Sequence, residues 1–132
     1  MLLSRLGRLS NHVASSQIRT YAMSSKALLP VELKQAAEEV AALLKERKET
    51  ISVAETAAGG LISASLLSTP GASRIYKGGL TLYTLESRIQ FAGWTQQNIE
   101  NYKGPTPQIV AGLAENVRQK LESTYTVSEV RL

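Results

Sequence analysis

Residues 51–60 bring a Glu55-Thr56 pair to a Gly59-Gly60 turn, and a second β-prone run delivers Tyr83-Thr84, with Arg88 about one helical turn beyond. If the two runs are parallel strands, all these groups meet at one sheet edge, where open α/β folds bind ligands. Thr56 has two readings. Its hydroxyl attacks a carbonyl carbon once a base removes the proton, or it caps the helix after the turn. Glu55 is the surrogate base or an acid set against the helix dipole. Gly59 and Gly60 offer backbone amides to a phosphate or let strand and helix pack closely. Tyr83 stacks on a planar ring or fills the strand–helix core. Arg88 cannot be the base, because a guanidinium stays protonated at physiological pH; it suits a phosphate or another oxyanion.

The elements that must position these groups are legible from periodicity. Pro30 opens a helical pattern with apolar residues at Leu33, Ala37, Val40, Leu43 and Leu44. Ile51–Ala54 predicts a strand, Leu61 to about Ser68 a helix, and Pro70-Gly71 a break. Ile75–Thr84 predicts a second strand, with Gly78-Gly79 marking a bulge or a close backbone approach. Short helices are expected over Glu86–Phe91 and Trp94–Tyr102, with Trp94 and Phe91 as a hydrophobic anchor, and Gly104–Pro107 as a rigid loop. Ile109, Leu113, Val117 and Leu121 define one helix face, and Thr124–Val130 begins a third β-like run. Helix and strand alternate, which argues a layered α/β domain whose last strand looks unfinished.

Composition narrows the chemistry. The chain has 132 residues, no cysteine, no aspartate, and a single histidine, His12, near its start. Thiolate nucleophiles, disulfides, Ser-His-Asp triads and Cys/His zinc sites are thereby excluded from the body of the domain, and no metal is expected. The net charge of +4 is concentrated in Arg5, Arg8 and Arg19; without them it is about +1. No basic stripe with interleaved aromatics remains, so a nucleic-acid partner is not expected.

Residues 1–25 are Arg-rich, Ser-rich and free of acid, with Leu2, Leu3, Leu6 and Leu9 on one helical face. This is the composition of a mitochondrial transit peptide, with Arg19-Thr20-Tyr21-Ala22 resembling a matrix-protease site and residues 26–132 forming the domain. A matrix location is the first expectation, a cytoplasmic one the alternative. No apolar stretch approaches the roughly 20 residues needed to span a bilayer, so no membrane association is expected.

Val53-Ala54-Glu55-Thr56-Ala57-Ala58-Gly59-Gly60, then Pro70-Gly71-Ala72-Ser73 and Gly79-Leu80-Thr81-Leu82-Tyr83, resemble the CinA C-terminal domain family over about residues 31–128. The resemblance implies a three-layer α/β/α sandwich, incomplete here at its C-terminus, that forms a homo-oligomer when complete. It also implies a pyridine-nucleotide amidohydrolase that converts nicotinamide mononucleotide to nicotinate mononucleotide and ammonia without a cofactor. The family's nucleophilic serine, in V-A-E-S-x-T-G-G, falls at Thr56, and its later threonine at Ala58. The catalytic lysine of Y-S-N-E-A-K falls at Arg88, and the G-A-V-S loop at Gly104–Pro107. The glycine-rich G-x-x-G-P-x-G-G segment expected after the third strand has no counterpart. Three outcomes follow: an impaired amidohydrolase using Thr56 and Arg88, a non-catalytic nucleotide-binding or interaction module, or a truncated product. In the first two, Glu55, Gly59, Gly60, Tyr83 and Thr84 surround a pyridine mononucleotide.

Overall fold

The computed structural model describes residues 29–131. The transit-peptide reading of residues 1–25 lies outside the described residues. Helix α1 (Val31–Arg47) follows Pro30 and carries Glu32 in its first turn and Lys45 and Arg47 in its last, the charge order that the helix dipole favours. Strand β1 (Ile51–Glu55) leads through the glycine turn into α2 (Leu61–Leu67), and a short 3-10 turn (Ala72–Arg74) precedes β2 (Tyr76–Thr81). Then come α3 (Leu85–Phe91), α4 (Gln96–Glu100), α5 (Pro107–Leu121) and β3 (Tyr125–Ser128).

The three strands form a parallel sheet in the order β2-β1-β3. All five residues of β1 are buried, as a central strand covered on both faces requires. Side-chain alternation along β1 then divides the core in two. Ile51 and Val53 pack with Ala37, Ala41 and Leu44 of α1 and Leu66 of α2; Ala54 faces the opposite layer, with Leu113 and Val117 of α5 and Leu82. Val53, Leu113 and Val117 have no exposed surface, and each such burial contributes roughly 1.5–3 kcal/mol. Helices thus cover both faces of the sheet, as expected for an α/β/α sandwich.

One helix face and one boundary differ from the sequence pattern. The buried line of α1 is Ala37-Ala41-Leu44, at i, i+4 and i+7, while Val40 and Leu43 remain 38% and 49% exposed. Small alanines let α1 approach the sheet and α2, which rotates the larger side chains outward. Strand β2 ends at Thr81, before Tyr83 and Thr84, because the Thr84 Oγ1 accepts the Ser87 N–H at 3.1 Å and starts α3 instead.

The Gly78-Gly79 expectation is met in both of its forms. Ile51 pairs with Tyr76 but Ser52 with Gly78, so Lys77 is the extra residue of a bulge. A Cβ on Gly79 would come within 2.5 Å of the Tyr76 hydroxyl and 2.6 Å of the Ser63 Oγ. No helix among the described residues is long and apolar enough to cross a membrane.

Candidate functional site

Glu55 ends the central strand with no exposed surface, and its carboxylate turns back onto the start of α2. Oε1 accepts the Ile62 N–H at 2.7 Å; Oε2 accepts the Ser63 N–H at 3.1 Å and the Ser63 hydroxyl at 2.6 Å. It therefore supplies the helix cap that Gly60, lacking a side chain, cannot. Gly59 and Gly60 have φ of +62° and +99°, a left-handed conformation that favours glycine. Their role in the turn is conformational: the Gly59 N–H closes onto the Thr56 carbonyl at 3.3 Å. Glu55, Gly59 and Gly60 do not line the cavity described below.

Thr56 is 5% exposed and is tied to the end of the chain rather than to α2. Its N–H donates to the Glu129 Oε1 at 2.6 Å, its hydroxyl donates to the Glu129 carbonyl at 2.9 Å, and the Ala58 N–H donates to the same Oε1 at 2.9 Å. The parallel pairing of β1 with β3, in register from Ile51–Tyr125 to Ala54–Ser128, carries Glu129 to this turn. Two amides suited to an anion thus hold one of the chain's own carboxylates. Glu129→Ala is expected to lower unfolding stability by about 1–2 kcal/mol, toward the lower end for lost charge-assisted bonds because the turn reaches solvent. A urea midpoint equal to that of the parent chain would show that the carboxylate does not hold the turn.

Beside Thr56 lies a cavity of about 670 Å³ at the C-terminal ends of β1 and β2. Thr56, Tyr83, Thr84 and Arg88 line it together, with Tyr102, Pro105 and Arg131 among the other walls. Tyr83 is 74% exposed, so it does not fill the strand–helix core. Arg88, on α3, is only 5% exposed. Its Nε donates to the Leu82 carbonyl at 3.3 Å, and its guanidinium lies 5.0 Å from the Trp94 ring centre and 5.5 Å from that of Tyr102. Trp94 also packs against the core cluster of Leu113 and Val117, as the expected anchor, whereas Phe91 is 56% exposed and is not part of it.

No carboxylate, lysine or imidazole is among the lining residues, so none of them can take the Thr56 proton at neutral pH. The Glu129 carboxylate is near, but the hydroxyl hydrogen is directed to the main-chain carbonyl instead. Among the described residues, no three His, Cys, Asp or Glu side chains gather as a metal site. The Glu115 carboxyl is drawn down to about 2 by its hydrogen bonds to Arg118 and then Gln119; this exposed pair on α5 does not line the cavity.

The sequence pattern identified Thr56, Tyr83, Thr84 and Arg88 but gave no sign of Glu129, or of Tyr102 and Arg131. A buried cation is the one signal that could have directed attention to Tyr102, since Arg88 needs ring faces or anions around it.

The chain matches the CinA C-terminal domain over residues 33–130. A CinA-like protein of Dictyoglomus thermophilum is 40% identical over 91 residues, covering 69% of this chain and 22% of that protein. A CinA-like protein of Pseudothermotoga lettingae is 35% identical over the same length and shares. The chain thus spans about a fifth of these relatives, 22% in each case. Among solved structures, the competence/damage inducible protein CihA of Agrobacterium tumefaciens superposes with a TM-score of 0.71 at 20% identity, covering 76% of this chain and 61% of that one. A CinA superfamily protein of Escherichia coli gives 0.68 at 16% identity, over 73% and 56%. With the sheet order, the turn and the matched span in agreement, the chain belongs to the CinA C-terminal domain family.

Proposed function

We propose that this chain binds a pyridine mononucleotide in the cavity beside Thr56 and Arg88 and leaves its carboxamide unhydrolysed. The observation that carries the reading is the make-up of the cavity wall: an exposed aromatic ring, hydroxyls and guanidinium groups, with no proton acceptor for Thr56. The first set suits a planar heterocycle bearing an oxyanion. The missing acceptor removes the step that would make Thr56 a nucleophile. The volume lies within the range of small-molecule sites, which runs from about 300 to 1,000 Å³. Membership of the CinA C-terminal domain family supports the choice of nucleotide, since the resemblance implies nicotinamide mononucleotide as ligand.

Isothermal titration of the full chain with nicotinamide mononucleotide is expected to show saturable binding. Tyr83→Ala should weaken it about tenfold, because a stacked ring contributes on the order of 1 kcal/mol beyond its area. Tyr125→Ala removes an exposed tyrosine that does not line the cavity, and should leave the affinity unchanged. Absence of saturable binding by the parent chain would sink the proposal.

A further inference from the structure

Among the described residues, no anion meets the buried guanidinium of Arg88. The ion pairs among the described residues are Lys34–Glu38 and Arg118–Glu115, both exposed, and no carboxylate reaches Arg88. Trp94 and Tyr102 cover it, Nε has the Leu82 carbonyl, and Nη1 is buried with no hydrogen-bond partner. Ring faces return part of the cost of removing a cation from water, but they do not satisfy an in-plane N–H. A buried guanidinium with an open donor is half of an ion pair. It also walls the cavity, beside the hydroxyl-bearing Thr56, Tyr83 and Thr84, with a second guanidinium, Arg131, in the same lining.

We propose that Arg88 is the oxyanion anchor of this cavity: a phosphate or carboxylate group of the ligand docks on its guanidinium, completing the ion pair that the fold leaves open. The inference deepens the nucleotide-binding reading by assigning which chemical group is recognised, and by which residue. It also gives the arginine a specific part. A lysine places a point charge, whereas a guanidinium covered by the Trp94 and Tyr102 rings presents a planar fork that discriminates oxyanions from neutral amides.

The test is a calorimetric comparison on the full chain. Inorganic phosphate should bind the parent protein saturably; Arg88→Met, which keeps much of the length and apolar bulk, should weaken it at least about tenfold, and Arg88→Lys should retain part of the affinity. Two ligand pairs then distinguish the source of the oxyanion. If the phosphate docks, nicotinamide mononucleotide binds about 10- to 100-fold tighter than nicotinamide riboside, and Arg88→Met brings the ratio to about one. If the carboxylate docks, nicotinate riboside outbinds nicotinamide riboside by a similar factor, with the same collapse. Arg88-dependent binding of inorganic phosphate, with no binding of any pyridine compound, would support the oxyanion site and defeat the nucleotide reading. An oxyanion preference that survives Arg88→Met, or none in the parent chain, would overturn the proposal. Should Arg88→Met fail to fold, the parent chain decides by nuclear magnetic resonance. On phosphate titration the Arg88 Nε–Hε signal must shift saturably, while that of Arg118, committed to Glu115 at 2.9 Å, must not. An unmoved Arg88 signal likewise overturns the assignment.

Discussion

Replacing Glu55 by alanine is expected to lower the unfolding free energy of the chain by about 3–5 kcal/mol. The carboxylate has no exposed surface and accepts three hydrogen bonds, from the Ile62 and Ser63 amides and the Ser63 hydroxyl. Alanine would leave two helix-terminal amides facing a cavity. Each bond to a charged acceptor is worth about 1.5–3 kcal/mol, and stranded buried donors add a desolvation cost. A loss of about 3–5 kcal/mol is a large part of the roughly 5–15 kcal/mol that stabilises an ordinary domain. Glu55→Gln is the sharper test, since it keeps volume and shape but sets an NH₂ group against a donor. It should cost about 2–4 kcal/mol. Urea unfolding of the full chain, followed by far-ultraviolet circular dichroism, reads both. Ser63→Ala, which removes only the hydroxyl donor at 2.6 Å, should cost about 1 kcal/mol. If Glu55→Gln unfolds at the parent midpoint, the carboxylate is not the cap that joins β1 to α2, and a role toward a ligand becomes the better account of it.

The second large effect concerns chemistry. The double variant Thr56→Ser, Arg88→Lys is expected to release ammonia from nicotinamide mononucleotide about 100- to 10,000-fold faster than the parent chain, the usual worth of a positioned base. Arg88 lies 5% exposed against Trp94 and Tyr102, and an amine in that desolvated, aromatic setting loses its proton far more readily than a guanidinium. Serine keeps the hydroxyl and removes only the methyl group. Arg88→Lys alone should give most of the gain, and Thr56→Ser alone almost none, because one hydroxyl without a base is no better than another. Equal rates in the parent and the double variant would show that the missing base does not limit hydrolysis. The Glu129 carboxylate on the Thr56 and Ala58 amides would then be the next suspect, since those donors would otherwise face a developing oxyanion.

Particular residues show what the chain discloses before folding. The apolar run Ile51–Ala54, the glycine turn and the Leu113-Val117 face are legible because their signals are local: β-branched runs, φ above zero, and a period near four. Tyr83, Thr84 and Arg88 converge with Thr56 because parallel strands end at one edge, an inference that needed only the alternation of elements. Glu129 was illegible. Nothing near it in sequence marks it, and only the β1–β3 register brings it to Thr56 across 73 residues. The face of α1 was legible in part: Ala37 and Leu44 lie on the stripe that the spacing predicts and are buried. Hydrophobicity also favoured Val40 and Leu43, but close packing of α1 on the sheet selects the small Ala41 instead. Glu55 read as an acid near a helix start, yet the sequence could not show that its two oxygens are fully occupied by α2.

The nucleotide-binding account is tested most directly by one proton magnetic resonance experiment, in which the full chain is mixed with excess nicotinamide mononucleotide and followed for hours. The account predicts saturable broadening of the pyridine ring signals as the ligand exchanges with the cavity, with no growth of the nicotinate mononucleotide signals. Ring signals that ignore the protein would contradict binding; acid product accumulating beyond one equivalent per chain would contradict the absence of a base for Thr56.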